Sequence, residues 1–397
     1  MSKVKNVPEI RFNGFSGEWV ENNLGGLAEI VRGASPRPIE DPKWFDKSSN
    51  VGWLRIRDVT EQDGRIHYLE QRISRLGQEK TRVLFEQTLL LSIAASVGKP
   101  VINYVETGVH DGFLIFRKPR FELEFMYQWL KSFEIKWQQY GQPGSQVNLN
   151  SDIVKNQVVF TPFEKEQTQI GNTFQKLDNL INQHQQKHDK LSNIKKAMLE
   201  KIFPKQGETI PEIRFKGFSG EWQEKEFSSI ATRVSTQHQN RCLPCVEYED
   251  IVAGEGRLNK DIFQKVVFKA GLKFEVNDVL YGKLRPYLRN WLLADFNGIA
   301  VGDFWVLRAE TVAKKFLFYL IQTNRFELIS NLSAGSKMPR SDWGLVSKSS
   351  FYVPMCISES QKIGNYFQKL DQLIKQHQQQ ITKLTNIKQA CLSKMFV

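Results

Sequence analysis

The stretch YGKLRPYLRN, residues 281–290, sets Lys283, Arg285 and Arg289 among Tyr281 and Tyr287. Cations interleaved with aromatic rings suit an anionic, planar ligand: guanidinium and ammonium groups take phosphate oxygens, and the same groups read the acceptor edge of guanine. Two further polar loops carry related chemistry. GSQVNLNSD (residues 144–152) offers Gln146, Asn148 and Asn150, whose amides match the paired donor and acceptor of adenine, and GSKMPRSD (335–342) offers Lys337 and Arg340. Lys283, Arg285, Tyr287 and Arg289 with these five make up the candidate contact set for phosphates and base edges.

Other motifs lack the partners their chemistry needs. The glycines of RFNGFSG (residues 11–17) fit neither the dinucleotide fingerprint nor the GxxxxGK[ST] phosphate loop, and Ser16 is not in the GxSxG arrangement of a nucleophile elbow. That segment reads instead as a tight turn anchored by Phe12, Phe15 and Trp19. Cys242 and Cys245 form a lone CxxC, and a structural zinc site requires two more soft ligands to close its tetrahedron, so no metal site is expected. With no Asp-Pro-Pro-Tyr or Asn-Pro-Pro-Tyr stretch and no Walker loop, the sequence reads as non-catalytic.

The elements that must hold these loops are written twice. PEIRFNGFSGEW (residues 8–19) returns as PEIRFKGFSGEW (211–222), IGNTFQKLD (170–178) as IGNYFQKLD (363–371), and LSNIKKAMLEKIF (191–203) as LTNIKQACLSKMF (384–396). The chain is two copies of one module whose middles differ. In the first copy Ile170, Phe174, Leu177, Ile181, His184, His188 and Leu191 fall on a 4-3-4-3 spacing, and in the second Ile363, Phe367, Leu370, Ile374, His377, Ile381 and Leu384 do the same. Such narrow seams predict two coiled-coil helices, over about 164–203 and 359–396, packed against each other in antiparallel fashion. His184 and His377 occupy one equivalent seam position, where a polar residue fixes register. Beyond the seams both copies change phase together, at Ile194, Met198 and Ile202 and at Ile387, Cys391 and Met395.

The middles read as α+β. NVGWLRIRDV and PCVEYEDI predict short strands; Asp58, Gly64 and Arg65 fall in register with Asp250, Gly256 and Arg257; GFLIFR matches DFWVLR; and the apolar helices FMYQWLKSF and FLFYLIQTN follow. PKQGET (204–209) reads as a linker. The expected organisation is a first variable domain over 1–162, a helical region over 163–204, a second variable domain over 205–355 and a second helical region over 356–397, related by a pseudo-twofold.

A formal net charge of +12 over 397 residues favours a polyanionic partner. The four cysteines show no framework spacing, the N-terminal stretch lacks a signal-peptide core, and the most apolar run, residues 88–98, is too short to span a bilayer. A cytoplasmic location without membrane contact is expected.

With both duplicated blocks in view, the chain resembles the specificity subunit of type I restriction-modification systems over its whole length. PFEKEQTQIGNTFQKLD and SESQKIGNYFQKLDQLI look like that family's helix-entry motif, each after a GS loop; the second copy departs from the first with Ser360 in place of Gln167 and Met355 in place of Pro162. The resemblance implies two target-recognition domains on an antiparallel pair of helices, reading an asymmetric bipartite duplex DNA target. It implies as partners two methyltransferase subunits and, through them, two restriction-translocation subunits. Adenine methylation with S-adenosylmethionine, and DNA cleavage with ATP and Mg, would belong to those partners, leaving this subunit without a cofactor. Two other readings of the repeat are a duplicated RNA or single-strand binder and a coiled-coil scaffold. For the first, the only sign is GxxG within GFSG, set among apolar residues rather than the lysines and arginines of a nucleotide clamp.

Overall fold

The computed structural model describes residues 6–140, 149–239, 242–263, 269–332 and 338–397. They build two compact units, one from the chain up to His184 together with Gln380–Val397, the other from Gln185–Gln379. Each unit is an α+β module completed by the opening part of one long helix and the closing part of the other. Among the described residues no helix is long and apolar enough to cross a membrane.

The long helices run Glu164–Ile202 and Ile357–Met395, 39 residues each, close to the limits the seam spacing predicts. Within the first unit Phe174 stacks on Phe396 with centroids 5.9 Å apart, and the Lys388 ammonium lies 2.5 Å from Asp178. Within the second, Phe367 stacks on Phe203 at 6.4 Å and Lys195 lies 2.7 Å from Asp371. In both, residue numbers rise along one helix as they fall along its partner, so the packing is antiparallel. Ile170, Phe174, Ile363, Phe367 and Leu370 are buried, while Leu177, Ile181, His184, Leu191, Ile374, His377, Ile381 and Leu384 are half-buried, as the edge of a two-helix seam requires.

After the seam, Ile194, Met198 and Ile202 join the core of the second unit, and Cys391 and Met395 that of the first. The expectation fails at Ile387, which is 41% exposed. Its neighbour Lys388 is buried instead, drawn in by the carboxylate of Asp178.

The duplicated twelve-residue block ties helix starts to helix ends. Arg11 donates two bonds of 2.6 Å to Glu166 at the start of the first long helix, and the Ile10 N–H donates to the Lys394 carbonyl at the end of the second. In the other unit Arg214 grips Glu359 at 2.7 and 2.8 Å, and Ile213 donates to Lys201. Gly17 and Gly220, at φ of +85° and +82°, turn their carbonyls onto the same two arginines, and Trp19 and Trp222 are buried beneath. Gly171 and Gly364 serve close approach instead. A Cβ on either would sit 2.9 Å from the backbone nitrogen of Phe125 or Phe316, where a second helix abuts the long one.

Each module carries the same sheets. In the first, strands lie in the order Glu29–Arg32, Phe113–Arg117, Leu89–Ser92, Pro100–Asn103 and Arg65–Ile66; in the second, Ala231–Val234, Phe304–Ala309, Val279–Gly282 and Trp291–Leu293. A second sheet in each, of three strands in the first module and four in the second, pairs one parallel and one antiparallel strand with Thr107–Val109 or Gly298–Ala300. The expected strand in NVGWLRIRDV is shorter than its apolar letters imply. Only Gly52–Leu54 is extended, because buried Asp58 accepts from the Arg55 N–H and opens a helix over Ile56–Glu61. Asp250 does the same for Glu247. Apolar helices follow at Leu123–Phe133 and Lys314–Leu320, the latter ending before Thr323 caps another helix, Asn324–Ser330.

Candidate nucleic-acid interface

Two of the three candidate loops are brought together in the second unit. After the strand Val279–Gly282 the chain turns through Pro286–Leu288, and Leu284 forms an isolated bridge with Arg340. The Arg285 N–H donates to the Pro339 carbonyl at 2.8 Å and Ser341 donates to Lys283 at 2.9 Å, so backbone pairing fixes one loop against the other. Lys283 and Arg340 thereby meet at one carboxylate, that of Asp303, with Arg285 and Tyr287 in the turn that follows Lys283.

Their states differ. Arg340 donates to Asp303 Oδ2 at 2.9 Å, and Lys283 Nζ lies 3.6 Å from Oδ1 of the same carboxylate. The Asp303 carbonyl accepts both the Lys283 N–H and the Tyr248 hydroxyl, and that hydroxyl accepts from the Leu284 N–H at 3.1 Å. Burial pushes the Tyr248 phenol up, so it stays a neutral strut for the turn. The side chain of Arg285 makes no hydrogen bond or ion pair among the described residues, and Tyr287 is 53% exposed. Arg285 and Arg289 flank the turn at φ of +50° and +55°, a left-handed conformation uncommon for residues other than glycine, and one that marks an over-determined backbone.

Two candidates, Arg289 and Asn150, have other partners, and a third residue of the stretch, Tyr281, is buried. Arg289 grips Glu327 with bonds of 2.9 to 3.0 Å, closing the far side of the turn onto the helix Asn324–Ser330. Asn150 caps the helix Ser151–Lys155, its amide oxygen accepting from Asp152 and Ile153. Tyr281 is not a surface group at all: it is buried and stacked on Trp305 at 5.6 Å, because strand alternation turns its ring into the core. Gln146, Asn148 and Lys337 lie outside the described residues.

The first unit has the same turn with different contents. Ser92 donates to Lys99 across it as Gly282 donates to Asn290, and Ala95 and Gly98 hold the left-handed positions at φ of +59° and +85°. Between Ser92 and Lys99 there is no charged residue. A frame built on repeated letters thus carries a cationic turn in one module and a neutral one in the other. Residues 16–193 match the type I restriction modification DNA specificity domain.

Over that stretch, somewhat under half of its length, the chain is similar to type I restriction-modification specificity proteins. The type I restriction enzyme EcoDI specificity subunit of Escherichia coli is 21% identical over 207 residues, which make up 49% of this chain and 46% of that protein; the match spans about half of either. The type-I restriction-modification system S subunit from M. genitalium, known from a crystal structure, aligns over 98% of this chain and 99% of its own at a TM-score of 0.63 and 14% identity. That likeness carries the fold: two α+β modules and two long helices.

In the second module, sequence reasoning missed Asp303 and Tyr248, which hold the cationic loops. One signal was present. Asp303 opens DFWVLR where the first module has Gly112 in GFLIFR, and an acid gained at a repeated position beside gained cations marks a pair. Among the described residues no three His, Cys, Asp or Glu side chains gather as a metal site; Cys245 is buried in a strand and Cys242 is exposed.

Proposed function

We propose that this chain is the DNA-recognition subunit of a type I restriction-modification complex and that its two modules read the unequal halves of one asymmetric duplex target. The observation that carries the reading is the duplicated frame, with Arg11–Glu166 repeated as Arg214–Glu359 and Asp178–Lys388 as Asp371–Lys195, around one turn that holds three cations and one that holds none between Ser92 and Lys99. Two identical readers would favour a palindrome, by the symmetry that links protein and site; two different readers in one chain give a bipartite target without that symmetry. In the second module Lys283 and Arg340 suit phosphates, which position the protein, while Arg285 and Tyr287 suit base edges and stacking.

In this reading the chain itself carries no catalysis. Two methyltransferase subunits dock on the repeated frame and transfer methyl groups from S-adenosylmethionine to adenine. Two restriction-translocation subunits act through them, using ATP and Mg to cleave unmodified DNA. The test is duplex binding by the full chain assembled with its methyltransferase, before and after combining Lys283→Ala, Arg285→Ala and Arg340→Ala. A lost base contact costs about 1–3 kcal/mol, so affinity should fall at least about fivefold; unchanged binding at moderate salt would contradict the assignment.

A further inference from the structure

Asp303 stands where a phosphate would be expected. Its two carboxylate oxygens face the two cations best placed for a DNA backbone, Arg340 at 2.9 Å and Lys283 at 3.6 Å, and its own backbone is pinned by Lys283 and Tyr248. The group is not a core ion pair: the Arg340 side chain is 61% exposed and those of Lys283 and Asp303 are 32% and 28% exposed, so solvent and a ligand can reach all three. The first module shows what the position requires for folding alone. There Gly112 occupies it, a Cβ would meet the His110 ring at 2.5 Å, and the adjoining turn carries no cation. The acid at this position and the cations within the turn thus occur together in the second module, and neither occurs at the matching positions of the first.

We propose that Asp303 is an internal stand-in for a DNA phosphate, occupying Lys283 and Arg340 in the free protein and yielding them when duplex binds. This rests on the reading of that loop pair as a DNA-contacting surface. Its consequence is regulatory: the carboxylate competes with every phosphate alike and weakens the hold of this module on duplexes of any sequence. Base contacts are then left to decide where the protein stays, because phosphate contacts carry no sequence information. Exposed ion pairs are weak enough for a backbone phosphate to replace them.

The experiment is duplex binding by the full chain in complex with its methyltransferase, using a mixed-sequence duplex and a duplex carrying the mapped target, with Asp303→Asn and Arg340→Ala compared in parallel. Asp303→Asn keeps an oxygen acceptor for Arg340 and removes the charge. Asp303→Gly, which restores the residue of the first module, guards against a folding effect of the amide. The proposal expects both Asp303 variants to bind both duplexes tighter, by about fivefold at low salt, with the gain shrinking as salt rises. Weaker binding would overturn it, since Asp303 would then be ordering the cations for productive contact. A gain confined to the target duplex would also overturn it, since the carboxylate would then be sensing bases. If Asp303→Asn changes nothing while Arg340→Ala weakens binding, the stand-in is wrong and the DNA-contacting surface stands; if neither changes binding, both are wrong.

Discussion

Replacing Lys388 by Met would strand a buried carboxylate, and the structure sets the size of the penalty. Lys388 and Asp178 have side chains only 11% and 12% exposed, in a four-charge cluster with Arg65 and Glu124. The cluster is neutral as a whole, so removing Lys388 leaves one uncompensated negative charge. Orphaning one member of a buried pair typically costs about 3–5 kcal/mol. Here Asp178 keeps Arg65 at 3.2 Å and the Gln128 amide at 2.9 Å, which brings the expected loss to about 2–3 kcal/mol. The second unit supplies an internal control. Asp371, 27% exposed, pairs with Lys195 and accepts from the Tyr319 hydroxyl at 2.8 Å, so Lys195→Met should cost only about 1 kcal/mol through solvent screening. Denaturant unfolding, read by hydrogen exchange at amides of each helix segment, measures both losses. A double cycle with Asp178→Asn should recover at least about 1 kcal/mol of coupling. Equal losses at the two sites, or a smaller loss at Lys388, would refute the argument that burial of the repeated pair sets its weight.

Further outcomes follow from the same contacts. Burial pushes the Asp178 carboxyl up, but the charge and hydrogen bond of Lys388, with Gln128 and Arg65, outweigh it and hold the group below its usual range. Its contribution is therefore present above the unfolded value of about 3.9 and lost as pH falls through the lower folded value; in acid titrations the deficit of Lys388→Met relative to wild type should shrink below about pH 4. Gly171→Ala and Gly364→Ala place a Cβ 2.9 Å from a neighbouring backbone nitrogen, and should each lower stability by about 1–3 kcal/mol in thermal or denaturant unfolding. In duplex-binding titrations Arg285→Ala should weaken affinity more than Arg289→Ala, because Arg289 is engaged by Glu327 while Arg285 has no partner among the described residues.

The long helices were legible because the seam spacing and the shared change of phase after it both have helical period, and the repeat itself doubled every signal. Asp178 and Lys388 were not, although both stand inside duplicated blocks. They lie off the apolar seam, and hydrophobic spacing is blind to a buried charge pair whose partners are distant in sequence. Ile387 was misplaced for the same reason: periodicity favoured the isoleucine, and the carboxylate favoured its neighbour. Short strands such as Gly52–Leu54 blurred into the helix behind them, since the boundary is set by one capping carboxylate, Asp58, and not by apolar pattern. At the candidate interface composition located the loops and could not tell which side chains were free. Arg289 and Asn150 have the right chemistry for DNA, yet an ion pair and a helix cap already engage them.

The central claim is that one repeated frame carries two independent readers. Its most direct measurement is a map of methylated adenines in cells expressing this chain and its methyltransferase, before and after residues 21–150 are exchanged for the corresponding stretch of another family member. The exchanged segment contains the neutral turn and the amide-bearing loop of the first module but none of the cationic turn of the second. One half of the target should change and the other should stay as it was. Changes in both halves, or in neither, would contradict the account.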